Sequence, residues 1–399
     1  MPEFEVELDR VATGGAALGP GPDGRVVFVS GALPGERVIA SVVADHATRI
    51  EARVLDVLDP SPGRQGPPCR HVGDGCGGCD WQHATAELQR DLRRSIVIDC
   101  LTRLARIREP DVRLGPALDP ERYRTTVRVA LRDGRPGYRA GRSHAIVPVE
   151  SCVVAHPLIE ELLVDGRFGS AAEVSLRVGA RTGERVVVAR PTAEGVAMPG
   201  DVIVVGDDEL RRGREVHYHE EIAEHRLRIS AQSFFQCRPD GAEALVALVG
   251  EAIADAPGLL VDAYCGVGLF GAILAGRSPE PRPMTGIEAN PAAAADAANN
   301  YHASATISRR KMERWSPSPA GAVIADPARV GLGKVVAAKL AQTDAAVIAL
   351  VSCDPASLAR DAMLLASHGY DLDHVTVVDL FGHTSHVETV SRFVRRGWA

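Results

Sequence analysis

Lysine is nearly absent from this chain of 399 residues, which has Lys311, Lys334 and Lys339 and otherwise relies on arginine for its positive charge. The formal net charge of −7 argues against a protein that coats nucleic acid nonspecifically, because such binding is driven by cationic side chains. No stretch approaches the roughly 18 uninterrupted apolar residues of a membrane span. The opening MPEFEVELDR is acidic where a secretory signal would be basic, so the expected location is cytoplasmic, away from membranes. Eight cysteines in such a chain are poor candidates for disulfides, and ligand or catalytic roles come first.

A composition of 45% hydrophobic and 24% charged residues supplies two or three cores at this length, and three units are expected. Charge is unevenly spread. Residues 81 to 149 hold fourteen arginines against eight acids, whereas the first sixty residues hold ten acids against five arginines. A phosphate-facing surface therefore belongs in the middle of the chain; the plainer alternative is a set of solvated helix faces.

Residues 3 to 58 alternate apolar and polar positions in short runs separated by TGG, GPGPDG and ALPGE, the pattern of a small closed barrel of about five strands. The linker Pro60-Ser61-Pro62-Gly63 then breaks regular structure. Next, Leu88, Leu92, Ile96 and Leu101 fall on one side of a long helix with arginines on the other. Strand patterns return from Tyr123 to about Arg211. From about Leu227 onward strands alternate with helices, which predicts an α/β unit: a parallel sheet with ligands at the carboxyl ends of its strands.

Three places in that last unit carry chemistry. In Asp262-Ala263-Tyr264-Cys265-Gly266-Val267-Gly268 the glycines permit a tight turn and close approach of a ligand to the backbone. The next strand ends in Glu288, placed to accept the ribose hydroxyls of a nucleoside cofactor. Gly271 completes a formal GxGxxG, so a dinucleotide enzyme stays open. Asp326-Pro327-Ala328-Arg329 ends a further strand, where methyltransferases using S-adenosyl-L-methionine often face the target base with Asp or Asn before proline; a simple turn is the alternative. Finally, Cys353 follows an apolar run in Val351-Ser352-Cys353-Asp354-Pro355, and Glu388 lies 35 residues later in His386-Val387-Glu388.

Carbon 5 of uridine is too weak a nucleophile to attack a sulfonium methyl. Addition of a thiolate at carbon 6 makes an enolate whose carbon 5 is strong enough, and a base must afterwards remove the carbon 5 proton. Cys353 and Glu388 are the candidates, with a helix start after Asp354-Pro355 expected to help the thiol ionise and Asp354 to oppose it. Cys100, Cys237 and Cys265 read as buried small hydrophobes. Cys69, Cys76 and Cys79 cluster around a CxxC, with Cys152 later, and suit an iron–sulfur cluster; His71 and His83 keep a mixed zinc site open.

With these residues in hand, the chain resembles the TRAM-domain RNA uridine-5-methyltransferases that act on tRNA or rRNA. The resemblance implies a TRAM-like OB barrel over residues 1–60 that binds RNA. It implies a central β-rich domain over 61–225 carrying a [4Fe-4S] cluster on Cys69, Cys76, Cys79 and Cys152. It also implies a Rossmann-like S-adenosyl-L-methionine domain over 226–399, with the helix at about 84–108 packing on it. Gln236, in Ser233-Phe234-Phe235-Gln236, falls on a family donor-binding position, as do Tyr264, Gly266, Gly268, Glu288 and Asp326, while Cys353 and Glu388 match nucleophile and base. The expected activity is formation of 5-methyluridine in RNA by a monomer; the alternatives are 5-methylcytidine formation and an RNA-binding or RNA-folding protein without turnover. Three positions depart from the family pattern: Ala328 for a proline, Leu269 for an asparagine, and Gly382 for a proline. The gap from Cys69 to Cys76 is also one residue longer than the family's.

Overall fold

The computed structural model describes residues 2–141, 143–276 and 281–398. Its first sheet takes up the alternating strands of the N-terminus. The strands Glu3–Glu7 and Arg10–Val11 form its opposite edges, yet only two residues separate them in the chain. One continuous stretch therefore supplies both edges and closes the sheet into a small barrel, which removes exposed edges. Val27, Val29, Val38 and Ala40 fill it.

A second six-stranded sheet is built around Thr126–Arg132, Glu173–Val178 and Arg185–Arg190. The helix Pro157–Asp165 covers it through Ile159, Leu162 and Leu163.

The third sheet has eight strands. Leu260–Ala263, Met284–Glu288, Thr306–Arg309, Ala322–Ala325 and Val347–Ser352 run parallel. Every residue of Val347–Ser352 is buried, as a strand covered by helices on both faces requires. The sheet departs from the all-parallel expectation at one end. Glu388–Arg395 inserts antiparallel between Val347–Ser352 and Tyr370–Val378, and Val112–Leu114, from far earlier in the chain, adds an outermost strand.

The helix Ala86–Arg103 packs on this third sheet's side of the molecule, its Leu92, Ile96, Val97 and Leu101 joining the core that holds Ile348, Leu358 and Val375. Thr85 caps it by accepting from the amide of Leu88 at 3.3 Å, a contact whose loss costs about 1 kcal/mol. The expectation that its arginines face solvent fails at Arg93, which is buried at 2% exposure. Among the described residues no helix is long and apolar enough to cross a membrane.

The arginine-rich stretch is less free than its charge implies. Arg90, Arg93, Arg103, Arg113, Arg122, Arg128 and Arg132 each pair with an acid, so seven of the thirteen described arginines there are at least partly neutralised.

Candidate active site

The antiparallel strand explains how residues far apart in sequence meet. Cys353 follows the carboxyl end of Val347–Ser352, and Glu388 opens the neighbouring strand that runs the other way. Ser352 stands opposite Thr389, and the Thr389 hydroxyl donates to the Ser352 carbonyl at 3.1 Å. The thiol and the carboxylate are thus the next residues along one ladder.

Both line a cavity of about 590 Å³ at the carboxyl ends of the parallel strands, together with Gln236, Tyr264, Gly266, Glu288 and Asp326. Seven of the eight sequence-predicted residues come together there. Gly268 is the exception: it does not line the cavity, and a Cβ on it would stand 2.6 Å from the Tyr301 ring. Its φ of +91° and that close packing are what require glycine. Gly266 has φ +54° and nothing within 4 Å of where a Cβ would stand, so the turn offers bare backbone to open space. Tyr264, also at positive φ, starts the same turn. Glu288 fixes it, one carboxylate oxygen accepting from the Gly266 amide at 3.1 Å and the other from Asn290 at 2.6 Å.

Asp262 lies behind the turn, fully buried. It accepts from the Gly271 amide and the Tyr301 hydroxyl, each at 2.9 Å, and burial still lifts it to about 7. An acid inside the apolar run Leu259-Leu260-Val261-Asp262 was the signal for this role, since such a group must find partners.

Carboxylates crowd the reactive end of the cavity. Burial, then the neighbouring Asp262, raises Asp326 to about 7, while burial and then Asp326 hold Glu388 well above the usual carboxylate range. Cys353 is pushed up to about 11 by burial, then by Glu388 and Asp326, with Arg329 opposing. This corrects the expectation of a thiol helped to ionise. Asp354 spends its carboxylate capping the helix Pro355–Ser367 through the Ser357 amide at 2.7 Å, and burial, with the two facing acids behind it, outweighs any help from the helix start. Arg329, the cavity's cation, draws both Glu388 and Cys353 back down.

Sequence reasoning did not place Phe234, Arg329, Phe381 or His386 on this wall. Cys237, read as a core residue, lines it too, as do Cys265 and the departing Leu269. Cys100 is buried, as read. The departure at Gly382 has a physical cause here, because a Cβ would stand 2.5 Å from the Pro120 backbone.

Cys69, Cys76, Cys79 and Cys152 line a second cavity, with Arg124, Tyr138 and His71. His83 lies outside its wall. Among the described residues no group of three or more His, Cys, Asp or Glu side chains is arranged to hold a metal ion. That holds for the mixed zinc site and for the [4Fe-4S] cluster alike; what the four cysteines share is the cavity.

No family model matches the chain. It is 35% identical to an RNA methyltransferase of Streptomyces avermitilis whose function is uncharacterized, over 98% of this chain and 97% of the relative. It is 31% identical to the 23S rRNA (uracil(1939)-C(5))-methyltransferase RlmD of Chromohalobacter salexigens, over 98% and 89% respectively. In fold it matches the tRNA (uracil-54, C5)-methyltransferase of Pyrococcus abyssi in complex with S-adenosyl-L-homocysteine, at a TM-score of 0.74 and 24% identity over 98% of this chain and all of the other. The chain belongs to the RNA uracil-5-methyltransferase family.

Proposed function

We propose that this enzyme transfers a methyl group from S-adenosyl-L-methionine to carbon 5 of a uridine in tRNA or rRNA through a covalent cysteine adduct. The observation that carries the reading is the meeting of Cys353, Glu388 and Asp326 in one cavity with Glu288 and the bare Gly266 turn. The barrel would serve as the TRAM-like RNA-binding unit and the third sheet as the Rossmann-like donor domain.

S-adenosyl-L-methionine supplies an electrophilic methyl carried on cationic sulfur. Glu288 would hold the ribose hydroxyls, with Gly266, Tyr264 and Gln236 around the rest of the donor. A uridine flipped from its stack enters beside Asp326. The Cys353 thiol gives its proton to solvent and its sulfur bonds to carbon 6, sending the ring's electron pair to carbon 5, which takes the methyl as that group's bond to the donor sulfur breaks and S-adenosyl-L-homocysteine leaves. Glu388 then removes the carbon 5 proton, and the electrons of that C–H bond restore the ring double bond and expel the Cys353 sulfur. Glu388 must be ionised to do this, so its raised pKa makes the cation Arg329 matter.

Cys69, Cys76, Cys79 and Cys152 would hold the [4Fe-4S] cluster. Four thiols on one cavity, with no carboxylate on its wall among the described residues and a half-buried arginine lining it, suit an anionic cluster of several irons better than one ion, which would draw the sulfurs together. Its contribution would be to cross-link the loops that bear them.

Replacing Cys353 with Ala should abolish methyl transfer and any RNA adduct that survives denaturation. Normal methylation by that variant overturns the mechanism. Nucleoside analysis of the product RNA separates 5-methyluridine from 5-methylcytidine.

A further inference from the structure

Glu388 sits at the mouth of its strand, so sheet pairing fixes the chain on one side of it only. The preceding residues, 379 to 387, form an irregular loop, whose backbone groups must find partners elsewhere. They find them on the segment that follows the CxxC cysteines. The Arg93 guanidinium donates to the carbonyls of Phe381 at 3.0 Å, Thr384 at 2.9 Å and His386 at 3.1 Å, and it pairs with Asp379 at the loop's start. Gln89 accepts from the His383 amide at 2.8 Å. The amides of Asp80 and Trp81 both donate to the His383 carbonyl. Asp80 also accepts from the Ser385 amide at 2.8 Å and its hydroxyl at 2.6 Å.

We propose that Arg93 is a positioning residue for Glu388, gripping the loop so that the carboxylate stands at carbon 5 of the bound uridine, with Gln89 and Asp80 completing the brace. The inference rests on the base role assigned to Glu388 above. A planar guanidinium can reach three carbonyls at once in fixed directions, which a lysine ammonium cannot reproduce. Arg93 is 2% exposed and does not line the catalytic cavity, so it acts through the loop. Because Asp80 directly follows Cys79, the brace also joins the cysteine-bearing segment to the base.

The test uses the full chain with S-adenosyl-L-methionine and substrate RNA, comparing Arg93→Met, Arg93→Lys, Ser385→Ala and Glu388→Gln. Arg93→Met should lower turnover by about tenfold to a hundredfold, the scale of a small misplacement at a reacting centre. It should accumulate the denaturation-resistant RNA adduct, as Glu388→Gln should, with KM for the methyl donor little changed. Arg93→Lys should rescue only in part. Normal turnover in Arg93→Met, or lost turnover without adduct while Glu388→Gln accumulates it, overturns the brace. If Arg93→Met does not fold, Ser385→Ala decides: slowed turnover with adduct upholds the proposal and wild-type behaviour overturns it. Adduct from neither Glu388→Gln nor Arg93→Met instead sinks the covalent base role, and the brace then stands only if the two variants lose turnover by matching factors.

Discussion

Two cavities of this molecule are lined by cysteine, and the charged side chains on their walls differ. Around Cys353 stand Asp326, Glu388 and Glu288, with Arg329 as counterweight. Among the described residues no carboxylate lines the cavity of Cys69, Cys76, Cys79 and Cys152, where half-buried Arg124 stands, although Asp74 reaches Cys76 and Glu160 accepts from the Cys152 amide at 3.4 Å. In the proposed reaction the Cys353 sulfur must bond and then leave; a costly anion favours the bonded adduct, so its expulsion leans on removal of the carbon 5 proton and on Arg329 to offset the charge. Thiols proposed to hold an anionic group would instead gain from a cation beside them. Cys79, raised to about 11, owes that shift chiefly to burial, with Arg124 pulling it down.

The sharpest way to break this contrast is to exchange a thiol in each cavity. Cys353→Ala should leave no detectable methyl transfer while the purified protein keeps its iron and sulfide content. Cys79→Ser should do the reverse in kind, losing iron and sulfide by chemical assay and the visible absorbance of a cluster. If Cys79→Ser retains them in full, the second cavity does not hold the group.

Arg329→Gln probes the counterweight. Arg329 lowers both Glu388 and Cys353, and in the proposed reaction both would act as anions, so its removal raises both and the rising limb of the pH–rate profile should move to higher pH. A limb that stays in place, or moves to lower pH, contradicts that role. The smallest effect is expected at the donor. Leu269 lines the cavity where the family carries asparagine, and Leu269→Asn should tighten donor binding by about twofold to tenfold, the worth of one ordinary hydrogen bond. Calorimetric titration with S-adenosyl-L-methionine reads this directly, and tight binding by the unaltered protein would refute the loss.

The convergence of Cys353, Glu388, Glu288 and Asp326 was legible because each sits in a local signal: a glycine turn, an acid at a strand end, a cysteine after an apolar run. The barrel was legible from alternation and turns. What could not be read is long-range. Nothing in the periodicity of Ala86–Arg103 says that Arg93 faces carbonyls nearly three hundred residues later, since a charged residue on a helix ordinarily marks the wet side. The three residues Val112–Leu114 are too short to announce an added strand. The raised thiol of Cys353 depends on burial and on acids at the ends of two other strands, so sequence adjacency to a helix start pointed the wrong way.

The antiparallel pairing beside Cys353 sets which changes in chain length the reaction tolerates. Residues inserted or deleted between the helix after Asp354 and the turn before Tyr370 leave the opposition of Ser352 and Thr389 untouched. Sliding Glu388–Arg395 by a single position against its neighbour would instead turn Glu388 to the far face of the sheet. Length variation among related chains should therefore collect at the periphery of this hairpin and stop short at its final strand.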